Sequence, residues 1–305
     1  MNSMNNKKII VTGGAGFIGS HIVDRLVELN NDVIVIDDES KEALKFFWNE
    51  KATKVKANIC DYDTIRSYFD GVDYVFHLAA EARIMPTLEN PVLAAQTNVT
   101  GTATVLQCAR EAGVKRVMYS STSAAYGLIN DPPLTEDMPL DCLNPYSVTK
   151  VAGEDLCKMY TNLFGLETVC FRYFNVYGPR EPISGQYAPV VGIFMRQRKA
   201  GEVMTIVGDG EQRRDFVHVS DVADANIRAA TADKVVGETI NVGTGTNYSV
   251  NDIADLVGGP KTNIPQRPGE ARETLADITK LKSLLKFTPE NKLVNYIKEQ
   301  CSDKL

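Results

Sequence analysis

Histidine is scarce in this chain of 305 residues: only three are present, at His21, His77 and His218. Cys60, Cys108, Cys142, Cys157, Cys170 and Cys301 are scattered without any C-x-x-C spacing. Neither a zinc cluster nor a disulfide scaffold is suggested, since each needs its ligands or half-cystines closely patterned, and a reducing compartment fits best. An excess of basic charge is also missing. With 33 Lys and Arg against 39 Asp and Glu, the net charge of -6 argues against a polyanion-binding surface and leaves room only for a local basic pocket. Nucleic acid is therefore not an expected partner. No apolar run approaches the length of a membrane span, and Met1–Lys8 is polar where a signal peptide would be apolar. A cytoplasmic protein without a membrane partner is expected. Internal repeats and low-complexity tracts are absent too, which leaves a globular chain long enough to bury a large core.

What is present alternates between strand and helix. Lys8–Val11 and Val33–Ile36 are short apolar runs, and between them Ile18, Ile22, Leu26 and Leu29 fall at helical spacing. That is a βαβ unit. Further strands are expected over Lys54–Ala57, Tyr74–Leu78, Arg116–Tyr119, Thr168–Arg172 and Glu238–Val242, with helices over Asp61–Phe69, Val92–Glu111 and Asn144–Phe164. This alternation predicts an α/β fold, a doubly wound parallel sheet covered on both faces. After Tyr177 prolines crowd a loop and the rhythm breaks. The chain is read as a Rossmann-like domain over 1–176 with 215–245, and a smaller mixed α/β substrate domain over 177–214 with 246–305.

The turn after the first strand carries Gly13, Gly16 and Gly19, with Phe17 and Ile18 opening the helix. Glycine there allows a tight turn, a close backbone approach to a pyrophosphate and close helix packing, while the helix N-terminus attracts the anion. The spacing is G-x-x-G-x-x-G. Asp37 ends the second strand, where a carboxylate can accept from adenosine ribose hydroxyls and repel a 2′-phosphate, so NAD is favoured over NADP. Asn58 and Ile59, after the third strand, are candidates for the adenine edge.

Tyr146 and Lys150 stand four residues apart behind a helix-start signal, Asn144 as N-cap and Pro145 as first helical residue. On a helix they share one face, so a cation beside the phenol and the positive helix end both favour phenolate, as a general base requires. Alone, such a pair is a common accident of helical sequence.

In order along the chain stand the glycine loop, His77-Leu78-Ala79-Ala80, Asn98-Val-Thr-Gly-Thr102, Tyr119-Ser-Ser-Thr-Ser-Ala-Ala-Tyr-Gly127 and Tyr146-x-x-x-Lys150. Together they make the chain resemble the extended short-chain dehydrogenase/reductases. Arg172-Tyr-Phe-Asn-Val-Tyr-Gly-Pro-Arg180, Gly208-Asp-Gly-Glu-Gln-Arg-Arg-Asp-Phe216 and Arg267-Pro-Gly-Glu270 narrow the resemblance to NAD-dependent nucleotide-sugar 4-epimerases. The resemblance implies Leu78, Ala79, Ala80 and Asn98 at the cofactor. It implies Thr122 holding the sugar oxygen with Ser123 as a second contact, Tyr146 as base, and Lys150 holding the cofactor ribose and lowering the tyrosine pKa. It also implies Tyr126 near the substrate, Asn175, Arg214 and Arg267 at the diphosphate or sugar, and Glu270 near the nucleoside ribose.

Dehydratases and decarboxylases that these sequences resemble carry acidic residues soon after the catalytic Ser/Thr; here Ser123 and Ala124 follow, and no glutamate precedes Tyr126. What remains is oxidation and return of the hydride, which the resemblance places at C4 of a UDP-sugar. Thr274 aligns with a position where, in the family, a small side chain admits an N-acetyl group, which favours UDP-GlcNAc/UDP-GalNAc, with UDP-Glc/UDP-Gal also handled. A homodimer through the helices around 92–111 and 144–164 is implied as well. The competing readings are a 4-keto nucleotide-sugar reductase, an epimerase at another carbon, and a non-catalytic NAD-binding sensor. His77, His218, Asp215 and Asp221 are read as structural.

Overall fold

Ile9-Ile10-Val11 and Val33-Ile34-Val35-Ile36 are apolar at every position, so the strands they form need cover on both faces. A computed structural model, which describes residues 4–40, 45–183, 185, 188–265, 271–290 and 292–302, places them inside a seven-stranded parallel sheet. Its strands are β1 (Lys8–Thr12), β2 (Asp32–Asp37), β3 (Thr53–Lys56), β4 (Tyr74–His77), β5 (Arg116–Thr122), β6 (Glu167–Tyr173) and a last one at Thr239–Val242. Across the sheet the order is Thr239–Val242, β6, β5, β4, β1, β2, β3. The chain runs outward from β1 to β3, then crosses back to β4 and runs the other way. The reversal between β1 and β4 opens a crevice at the strands' carboxyl ends, where ligands of such sheets bind.

One face is covered by the helices Phe17–Glu28 and Val219–Thr231, which contribute Ile22, Leu26 and Val222 to its core. The helices Thr102–Glu111 and Pro145–Phe164 cover the other with Val105, Leu106 and Cys157. A third apolar cluster gathers Phe194, Ile206, Ile253 and Ile297, beside the short parallel pair Val176–Tyr177 and Val217–His218. Ala276 to Leu285 packs with the sheet core, not with this smaller cluster. All six cysteines are free. Among the described residues no helix is long and apolar enough to cross a membrane.

The structure departs from the expected single helix over Val92–Glu111. Pro91–Ala95 is followed by a wide π-helical turn, Gln96–Gly101, before Thr102–Glu111 resumes. Such a turn inserts a residue and re-aims its neighbours. Here it points the buried Asn98 amide at the loop after β4.

Helix Pro145–Phe164 is fastened to the sheet by a buried ion pair. Arg172 on β6 gives Nε and Nη2 to the two carboxylate oxygens of Glu154, at 3.0 and 2.7 Å, and Ser121 on β5 donates to the same carboxylate. Removing one partner of such a pair strands a charge in the core. Glu154→Ala is therefore expected to lower stability by about 3–5 kcal/mol. A urea midpoint equal to that of the parent chain would show that the pair does not anchor the helix.

Candidate active site

The cofactor end of the crevice is built from glycine. Gly13 turns the chain at a φ of +66°, and a Cβ there would lie 2.6 Å from the Ala79 nitrogen. At Gly19 a Cβ would lie 2.2 Å from the Gly13 carbonyl, so the helix seats this deeply only with glycine. Gly16 caps helix Phe17–Glu28 without any side-chain cap, and no acid stands in its first turn. The first-turn N–H groups are thus unanswered by side chains, and half-buried Gly13, Gly16, Phe17 and Ile18 border them. Backbone donors and helix dipole together fit an anion such as a pyrophosphate.

Asp37, at the end of β2, closes this turn: Oδ2 accepts from the Ala15 amide and Oδ1 from that of Glu39, both at 3.1 Å. Burial pushes its pKa up, and those two amides pull it back. Asn58 gives its side-chain amide to Asp38. The Ile59 side chain is buried and lies close to Gly101, so only its main chain is left for the expected adenine contact.

The β4 end is held by a short polar chain. The Thr12 carbonyl accepts from the Leu78 amide, and the Thr12 hydroxyl contacts both the Ala79 amide and His77 Nδ1. His77 Nε2 meets the Thr102 hydroxyl at 2.9 Å. Burial, reinforced by Lys150, lowers the histidine to about 3, so it is a neutral spacer, as expected. Leu78, Ala79 and Ala80 are half-buried. Asn98 departs from expectation. Its Oδ1 accepts from the Glu81 amide at 2.7 Å, and its Nδ2 gives to the Glu81 carbonyl at 3.0 Å and to Thr149 at 2.9 Å. Its polar atoms clamp the loop behind the crevice and leave none aimed at a cofactor.

Helix Pro145–Phe164 starts where the sequence places it: Asn144 and Ser147 form a capping box and Pro145 is the first residue, so Tyr146 lies in the first turn. Thr122, at the end of β5, stands beside Tyr146 and accepts from the Ala124 amide at 3.1 Å. Half-buried Ser123 opens the turn Ser123–Tyr126. Burial pushes the Tyr146 phenol up, and Arg83 and Thr122 pull it back. Lys150, expected to do this, is not among the groups that pull on the phenol here. The shared helix face sets the two residues side by side, but the lysine stem ends with its ammonium 4.3 Å over the Tyr119 ring centroid. Burial lowers this ammonium to about 8. Among the described residues it has no hydrogen-bond acceptor, which fits a ribose hydroxyl pair.

Arg83 was not singled out in the sequence, and neither was Glu181. Glu181 is buried, neither carboxylate oxygen has a hydrogen-bond partner among the described residues, and burial holds its pKa up to about 8 against the pull of Arg83. Both are isolated charges in loops, so no periodicity or motif marks them.

At the nucleotide-sugar end, strand Arg213–Asp215 pairs antiparallel with Asn247–Ser249, and buried Asp215 ties together Thr244, Gly245 and Ala276. Asn175 gives its side-chain amide to the Asp215 carbonyl. Arg214 is half-buried and hydrogen-bonds the Arg213 carbonyl. Thr274 lies alongside, its amide on the Arg213 carbonyl, and its buried hydroxyl lacks a hydrogen-bond partner among the described residues. Tyr126 is corrected: the ring is buried, its hydroxyl meets Asn241 at 2.6 Å, and Arg172 stacks on it, so it packs in the core and does not face a sugar. Arg267 and Glu270 lie outside the described residues. No cluster of His, Cys, Asp and Glu suited to a metal occurs among the described residues.

Comparison with known proteins agrees with this arrangement. A putative UDP-glucose 4-epimerase of Methanocaldococcus jannaschii is 39% identical over 284 residues, covering 90% of this chain and 92% of that protein. The solved UDP-N-acetylglucosamine 4-epimerase of Methanobrevibacter ruminantium M1, in complex with UDP-N-acetylmuramic acid, superposes with a TM-score of 0.91 at 34% identity over 97% of both chains. The Thermotoga maritima UDP-glucose 4-epimerase with UDP-glucose also gives 0.91, at 35% identity over 96% of this chain and 97% of that one. With residues 9–243 matching it, the glycine turn, the Thr122–Tyr146 contact and Lys150 belong to a member of the NAD dependent epimerase/dehydratase family.

Proposed function

We propose that this protein interconverts the C4 epimers of a UDP-sugar. The observation that carries the reading is Thr122 at the carboxyl end of β5 standing beside Tyr146 in the first turn of its helix, with Lys150 one turn on and Ser123 and Ala124, not carboxylates, next in the chain. Water loss needs a further acid and base there; hydride exchange does not. NAD, when bound, supplies the acceptor that takes hydride from C4 and gives it back, so no net oxidation results. Gly13, Gly16, Asp37 and Lys150 are the residues that fit it.

In this reading Tyr146 takes the proton of the C4 hydroxyl and later returns it, while Thr122 holds that oxygen. A 4-keto sugar forms between the two events. It turns about its link to the diphosphate, so the same two side chains meet its other face. The 1–176 and 215–245 segments hold the cofactor in this scheme, and 177–214 with 246–305 hold the nucleotide sugar through Asn175, Arg214, Arg267 and Glu270. The small Thr274 side chain, with its unpartnered hydroxyl, leaves room for an acetamido group, which supports UDP-GlcNAc/UDP-GalNAc with UDP-Glc/UDP-Gal as smaller substrates. Val92 and Val148 are 66% and 51% exposed on helices Pro91–Ala95 and Pro145–Phe164, and they support a homodimer across this face.

Tyr146→Phe is expected to cut turnover by about 10³-fold with NAD still bound, because proton transfer is lost while the fold is kept. An unaffected rate would overturn the assignment. Thr274→Tyr should depress activity on UDP-GlcNAc relative to UDP-Glc by about tenfold or more, on the scale of a filled pocket. Equal rates before and after would remove Thr274 as the gate. For the dimer, Val92→Glu combined with Val148→Glu should give a monomer in light scattering where the parent chain gives twice that mass. A parent chain that is already monomeric would rule the interface out.

A further inference from the structure

The loop after β4 is held more firmly than a loop needs to be. Asn98 takes both the amide and the carbonyl of Glu81, and two residues on Arg83 adopts a φ of +74°, in a region where non-glycine residues are uncommon. A backbone held there imposes a direction on the side chain. Arg83 caps the helix Ile84–Glu89, which packs against the helix that begins at Tyr146, and its half-buried guanidinium lies beside that phenol. Among the described residues it makes no hydrogen bond or ion pair.

The carboxyl that faces Arg83 is Glu181, and it does not neutralise the arginine. It is 7% exposed and neither of its oxygens has a hydrogen-bond partner among the described residues, so no ion pair closes between the two, and burial raises its pKa to about 8. A guanidinium with no ion-pair partner among the described residues therefore stands near Tyr146, the base proposed for C4. A neutral hexose offers such a fork only hydroxyls, whereas a carboxylate matches it bidentately.

We propose that Arg83 selects acidic UDP-sugars by binding a carboxylate carried on the hexose. The inference rests on the 4-epimerase reading of the same site. A hexuronate fits the placement, because its carboxyl carbon is joined to the ring atom next to C4. A carboxylate on a C3 ether substituent is the other source of the same chemistry. Room for an acetamido group at Thr274 and a cation at Arg83 are compatible in one N-acetylhexosaminuronate.

The test measures kcat/KM for C4 inversion of UDP-glucuronate, UDP-N-acetylglucosaminuronate, UDP-N-acetylmuramate, UDP-glucose and UDP-GlcNAc, with NAD present, on the parent chain, Arg83→Ala and Arg83→Lys. The parent is expected to favour a carboxylate-bearing sugar. The acidic-to-neutral ratio should fall about 100-fold in Arg83→Ala, as for loss of a charged hydrogen-bonding partner, and recover in part in Arg83→Lys, which restores charge without the fork. A preference for the uronates places the carboxylate at C6, and one for the muramate places it on the C3 ether. A parent chain that favours neutral sugars overturns the proposal, and so does an equal loss on acidic and neutral sugars, which would make Arg83 a diphosphate contact. Melting shifts read the inference apart from catalysis. Stabilisation by UDP-glucuronate beyond that by UDP-glucose, abolished in Arg83→Ala, supports it even if no sugar is inverted at C4, a result that would sink only the 4-epimerase reading.

Discussion

The turn after β1 must lie almost against the backbone after β4, and the rest of the site hangs on that approach. Gly13 makes it possible, since any side chain there would collide with Ala79. At the reversal of strand order the two carboxyl ends then form one edge, pinned by Thr12 through Leu78, Ala79 and His77. The polar chain continues from His77 to Thr102, whose own hydroxyl reaches the Asn98 carbonyl, and from Asn98 to Glu81. A packing constraint at a glycine is thus transmitted by fully paired polar groups to the loop that aims Arg83.

Desolvation dominates the electrostatics of the site. It pushes Tyr146 and Glu181 up and Lys150 down, so each neutral form is favoured before any partner acts. Tyr146 is pulled back by a guanidinium and a hydroxyl that come from the ends of two other strands. Lys150 faces an aromatic ring and, among the described residues, its ammonium meets no hydrogen-bond acceptor, which suits a group whose partner arrives with a ligand. By contrast the Arg172–Glu154 pair is buried and closed on itself, and it holds the helix that carries Tyr146 in place on the sheet.

Local chemistry was legible in the sequence wherever it repeats or caps. Continuous apolar runs marked the buried strands, glycine spacing marked the turn, and Asn144-Pro145 placed Tyr146 in a first helical turn, because these signals depend on residues a few positions apart. The order of motifs likewise pointed to the family. The expected helix over Val92–Glu111 failed for the opposite reason. Its π turn answers to Glu81, Thr149 and Ile59, which are distant in sequence.

The sequence by itself determined the parallel sheet, the glycine turn at its switch point and the placing of Tyr146 and Lys150 on one helix face. Tertiary structure alone decided where the side chains end. It turned the side chains of Tyr126 and Ile59 into the core, made Asn98 a clamp, carried the Lys150 ammonium onto Tyr119 and set Arg83 near Tyr146 with the buried Glu181 carboxyl beside it. Spacing along a helix fixes the face from which a side chain leaves. The atom it finally meets is set by which strand ends the sheet brings together and by how much water they exclude.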